Sequence, residues 1–131
     1  MKKVILIDAN IIIRFFLNDH PKLSPQAKSL FIKAGNGKLN LYLDEIVVAE
    51  VIWTLTSFYK INKHKIIEQF QTLLAQKWIV NPRKELIFKT LNLFGAQALD
   101  YIDCWLLVVS KSLNYNLTTF DNRLKKQFLS Q

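Results

Sequence analysis

The segment Lys3-Val4-Ile5-Leu6-Ile7-Asp8-Ala9-Asn10 (KVILIDAN) runs four apolar side chains in succession and then stops on polar ones. An unbroken apolar run of this length, rich in β-branched residues, predicts a strand over 3–7 buried on both faces, as in a parallel sheet. Asp8-Ala9-Asn10 closes it, and residues 11–17 predict a helix. Further strands are predicted over 39–43, 78–80 and 116–119. Between them, Ser24 as N-cap with Pro25 at the first helical position starts a helix that runs to about 34, and Gly35 and Gly37 stop it. Asp44 caps a helix over 45–59, Asn62 one to about 75, and further helices cover 83–94, 100–113 and 121–129. Strands alternating with helices predict an α/β sandwich around a mainly parallel sheet, whose ligands sit beyond the carboxyl ends of the strands.

The 131 residues suit one domain spanning 1–131, with no repeat, low-complexity tract or linker. A single cysteine, Cys104, excludes a disulfide framework. With only His20 and His64 beside it, a zinc site of the usual Cys/His type is almost excluded too. No apolar run reaches the ~20 residues of a membrane span, and Asp8 interrupts the first run too early for a signal peptide. A soluble, cytoplasmic protein is expected. The net charge of +8 favours an anionic partner, such as nucleic acid, an acidic protein or a membrane surface.

The ten acidic residues are therefore informative. Asp19, Asp44, Glu45, Glu68 and Glu85 fall at element ends or on polar faces. Asp8, Glu50, Asp100, Asp103 and Asp121 lie inside or against apolar segments. Asp8 and Asp121 follow the first and fourth predicted strands, Asp100 and Asp103 share a helix face at i, i+3, and Glu50 sits in VVAEVIWTL. Each of Asp8, Asp100 and Asp121 has a plain alternative as a helix N-cap. Glu50 and Asp103, placed in apolar helices with few bases nearby, are harder to account for structurally. Two carboxylates ~5 Å apart repel by about 3 kcal/mol at an effective dielectric near 20, so convergent acids need a cation or raised pKa values. Oxygen-only donors select hard ions such as Mg²⁺ or Mn²⁺, which can activate water against a phosphodiester.

Among the bases, Arg14 is a candidate phosphate contact near the expected mouth, and Lys60, Lys63, His64 and Lys65 form a cluster able to track an RNA backbone or simply to solvate a turn. Phe15, Phe31, Trp53, Phe70 and Trp105 are expected in the core or at a dimer contact, and His20 in a turn.

Four pieces in order, Asp8-Ala9-Asn10 with Arg14, Glu50 in VVAEVIWTL, Asp100-Tyr-Ile-Asp103, and Thr118-Thr119-Phe120-Asp121, resemble the PIN-domain family, and within it the VapC-type toxins of toxin–antitoxin modules. The resemblance covers essentially the whole chain. It implies a PIN-like three-layer α/β/α sandwich with a central, mainly parallel four- to five-stranded sheet. It implies a catalytic metal-binding quartet of Asp8, Glu50, Asp103 and Asp121, with Asp100 as an additional acid, Asn10 supporting the first and Thr119 orienting the last. It further implies a Mg²⁺- or Mn²⁺-dependent endoribonuclease, a homodimer and a cognate antitoxin. Cys104 stands where relatives usually have Ala, and Arg123 where many carry a further acid. The alternatives are a non-toxin PIN nuclease of RNA processing and a nucleic-acid-binding module without catalysis. An Asp-x-Asp phosphatase is disfavoured because position 10 is Asn.

Overall fold

The computed structural model describes residues 2–130. The chain divides into two compact units, one up to Lys84 and one from Glu85 onward. In the first, strands β1 (Lys3–Leu6), β2 (Leu39–Tyr42) and β3 (Ile79–Val80) form a parallel sheet in the order β1-β2-β3. Leu6 pairs with Tyr42, and Tyr42 with Val80. Helices α1 (Ala9–Leu17), α2 (Leu23–Gly35), α3 (Glu45–Trp53) and α4 (Lys63–Leu74) connect them. The core of this unit gathers Ile12, Leu41, Leu43, Val48, Val51, Leu55, Ile66, Phe70 and Ile79, all essentially inaccessible. A side chain such as Phe70 contributes about 1.5–3 kcal/mol by such burial.

The second unit holds α5 from its second residue (Lys84–Ala96), α6 (Tyr101–Ser112) and α7 (Asn122–Ser130). Ile87, Leu91, Phe94, Cys104, Leu107 and Leu124 are buried there, and the rings of Phe94 and Tyr101 meet edge to face at 5.7 Å. Packing thus accounts for one face of α6, Tyr101, Cys104, Leu107 and Val108, while Ile102 and Leu106 on the same helix stay exposed.

Several expectations are corrected. β1 is not buried on both faces: it lies at an edge of the three-stranded sheet, and Val4 and Leu6 are 53% and 69% exposed. Residues 116–119 join no ladder among the described residues, so the fourth strand is absent there and the sheet has three strands rather than four or five. Only Leu117 is apolar in that Asn-Leu-Thr-Thr run, and Asn116 and Thr118 are exposed, so little drives pairing. Ser24 is not the cap of α2. Its hydroxyl donates to the Arg14 carbonyl at 2.7 Å, and His20 Nδ1 accepts the Lys22 and Leu23 N–H groups instead.

The single helix predicted over 45–59 also changes character. After Trp53 it widens into a π-helical turn, Thr54–Phe58. Thr56 Oγ1 donates to the Ile52 carbonyl at 2.7 Å and competes with the regular ladder, which is how a mid-helix hydroxyl loosens the backbone. The turn ends at Lys60, held in the left-handed region at φ 58°. Trp53, expected in the core or at a dimer contact, is 67% exposed and so is not part of the core.

Candidate active site

In the first unit, β1 and β2 end in register, and each is followed two residues later by an aspartate that opens a helix. Asp8 Oδ1 accepts the Ile11 N–H at 3.1 Å, and Asp44 Oδ1 accepts the Ile46 N–H at 2.8 Å. Both carboxylates satisfy orphan donors of a helix N-terminus. The capping alternative for Asp8 is therefore realised, although one of its oxygens stays uncommitted and the residue is exposed. Asn10 lies exposed in the first turn of α1. Glu50, on α3, is exposed and makes no side-chain hydrogen bond or ion pair among the described residues. Burial in an apolar helix was the reason to single it out, and that reason fails: the helix turns this position to solvent together with Ile46 and Trp53.

Asn81 organises the carboxyl edge of the same sheet, and sequence reading missed it as a turn residue. This buried side chain donates to the Leu43 carbonyl at 2.7 Å and to Glu45 Oε1 at 3.0 Å, while its Oδ1 accepts the Arg83 N–H at 2.8 Å. Arg83 closes the loop on Glu45 Oε2. Burial pushes the Glu45 carboxyl upward, but the hydrogen bonds from Arg83 and Asn81 outweigh it and hold the group below its ordinary value. The only signal in the sequence was an Asn set directly at a strand end.

In the second unit three acids come together. Asp100 stands at the N-cap position of α6, but its carboxylate makes no capping bond, contrary to the capping expectation. Asp103 sits in the first turn of α6, half-buried. Asp121 opens α7: its Oδ1 accepts the N–H groups of Arg123 and Leu124 at 2.9 and 3.1 Å, and Thr119 Oγ1 accepts its own N–H at 3.0 Å. The Thr119 hydroxyl thus ties the backbone entering α7. The Asp103 carboxyl is pushed above its usual range by burial, then by the charges of Asp100 and Asp121, with Arg123 opposing. Mutual repulsion of this kind is what a cation would relieve.

The basic candidates divide. Arg14 is only 15% exposed; its Nη1 binds Asp19 Oδ1 at 2.8 Å and its Nη2 the Tyr59 hydroxyl at 2.8 Å. This knot ties α1 to the end of the π-helical turn, and it takes the guanidinium away from any phosphate. Lys60 is exposed and Lys63 half-buried at the start of α4.

The donors available for a metal are carboxylate oxygens, which fit a hard divalent ion. Among the described residues no three Asp, Glu, His or Cys side chains lie close enough to share one ion. Asp100, Asp103 and Asp121 are thus near enough to repel and too far apart to form a closed cage. No helix among the described residues is long and apolar enough to cross a membrane. A family model described as PIN domain matches residues 5–127. No curated protein and no solved structure matches the chain.

Proposed function

This chain belongs to the PIN domain family, a nuclease fold that is generally metal-dependent, and on that premise we propose that it is an endoribonuclease using Mg²⁺ or Mn²⁺. In this reading Asp8, Glu50, Asp103 and Asp121 are the catalytic acids, and Asp100 adds a further metal oxygen. The observation that carries it is the gathering of Asp100, Asp103 and Asp121, with the Asp103 proton held more tightly than usual by burial and by its two acidic neighbours. A bound divalent ion would supply an activated water and a counter-charge for the leaving oxygen. The chain's own groups do the rest. Thr119 fixes the backbone of Asp121, and Asp121 keeps one carboxylate oxygen for its helix while the other is uncommitted. Asp8 divides its oxygens in the same way. The supporting role of Asn10 for the first acid belongs to this reading through the family resemblance alone.

The finer reading is the toxin of a toxin–antitoxin pair, cytoplasmic, acting as a homodimer and held in check by a cognate antitoxin. It rests on the order of the four motifs and on a basic chain suited to RNA. Inducing the wild type and Asp8→Asn in cells and sequencing RNA ends tests it. New 5′ ends with the wild type alone are expected; equal cleavage by a folded Asp8→Asn protein overturns it.

One observation favours a second reading, a binding module without catalysis: no three candidate ligands among the described residues are close enough to share an ion. That reading predicts RNA binding indifferent to chelator and no cleavage with added Mn²⁺.

A further inference from the structure

The chain has three arginines, and the structure uses them differently. Arg14 is ion-paired to Asp19 and bonded to Tyr59, and Arg83 is ion-paired to Glu45. Both charges are spent on the first unit's own carboxylates. Arg123 pairs with no carboxylate among the described residues. Its Nη2 donates to the Ala98 carbonyl at 2.6 Å, its backbone N–H donates to Asp121 Oδ1 at 2.9 Å, and the residue is exposed. The side chain therefore reaches from the start of α7, beside Asp121, to the residues just before α6, two positions ahead of Asp100.

We propose that Arg123 grips the RNA phosphodiester, holding a non-bridging oxygen over the aspartates that open α6 and α7. The inference rests on the nuclease reading above. A guanidinium has five N–H donors in a planar fork, and tethering one Nη2 N–H to a carbonyl leaves one full two-nitrogen edge able to bind a phosphate. The tether fixes the group beforehand, so less side-chain freedom is lost when the anion arrives. Acids alone would repel a phosphodiester; one fixed guanidinium among them gives the anion a place to sit.

The test is binding of a short, fluorescein-labelled single-stranded RNA of mixed sequence to the full chain in chelator, across a salt series. Arg123→Gln removes the charge but keeps a donor for the Ala98 carbonyl, Arg123→Lys restores the charge without the fork, and Lys38→Gln controls for net charge. Arg123→Gln should weaken binding about tenfold and lower the salt slope by about 0.7, the share of one phosphate on a single strand. Arg123→Lys should recover the slope and part of the affinity, and a thermal melt should show all variants folded. If the wild type binds and cleaves RNA but Arg123→Gln matches it in affinity and slope, the inference fails while the nuclease reading stands. If Arg123→Gln leaves RNA binding unchanged and instead tightens Mn²⁺ binding by calorimetry, Arg123 is a substitute cation rather than a phosphate grip, and the inference is overturned. Failure of the wild type to bind or cleave any RNA would remove both.

Discussion

Glu45 and Asp103 occupy equivalent places in the two units: each is the acid in the first turn of a helix. The favourable field of a helix N-terminus is common to both. Their protons are nevertheless held in opposite senses. Glu45 is drawn below its ordinary pKa by Arg83 and Asn81 despite its burial, whereas Asp103 is driven upward by burial and by Asp100 and Asp121. The neighbours decide, and they mark Glu45 as an acid that holds the chain together. Asp103 belongs to a group the chain keeps at a cost to itself, and such groups are commonly reserved for function.

The sharpest way to break this contrast is to remove each charge and measure RNA cleavage in Mn²⁺. Asp103→Asn should lower the rate by about a hundredfold or more, beyond what loss of a mere supporting group around a metal costs. Glu45→Gln should cleave near the wild-type rate wherever it remains folded. Equal losses in the two variants would mean that the electrostatic difference has no functional meaning.

Stability should respond in the reverse order. Asn81→Ala strips the Leu43 carbonyl and Glu45 of a buried donor, and should cost about 2 kcal/mol in urea unfolding. A loss below a few tenths would show that water replaces the amide at that edge. Metal binding should then separate the units. At an ion concentration ten times its dissociation constant, Mn²⁺ should stabilise the wild type by about 1.4 kcal/mol. The increment should survive in Asn81→Ala and shrink in Asp103→Asn; a rise that is the same in both would detach metal binding from the acidic cluster.

The contrast was only half legible in the sequence. Asp44 and Asn62 were readable as caps because a small polar residue before an apolar periodic run has one obvious use, and both accept helix N–H groups. Asp103 was singled out because a carboxylate in an apolar helix with few bases nearby demands an explanation, and it is half-buried beside other acids. The same logic failed at Glu50, since helical rotation can turn one polar position to solvent, and local pattern does not fix which face a neighbour covers. Arg14 was misjudged because its partners, Asp19 and Tyr59, include one 45 residues away. The Asn81–Glu45–Arg83 loop was invisible for that reason as well: it joins positions 36 and 38 residues apart, through chemistry that is ordinary at each position alone. Strand 116–119 was over-read from order alone, without apolar surface to bury.

The smallest effect is the most diagnostic, because it has a sign. Asp103 binds its proton more tightly folded than unfolded, so ionisation at neutral pH costs stability, and that cost disappears as pH falls through its raised value to the ordinary carboxylate range. Asp103→Asn should therefore be more stable than the wild type at pH 7 by about 0.2–0.5 kcal/mol, the scale of one like-charge pair on a helix. The gain should vanish in acid. Glu45 runs the other way: its folded pKa is depressed, so its contribution is complete above the ordinary carboxylate value and is lost as pH falls through the lower folded one. Glu45→Gln should accordingly be destabilised at pH 7 and approach the wild type in acid. Thermal melts of both variants over a pH series would sharpen the comparison if the two difference curves have opposite signs at neutral pH and converge on acidification. An Asp103→Asn protein less stable than the wild type at pH 7 would break it, since the three aspartates would then be held together by something stronger than their repulsion.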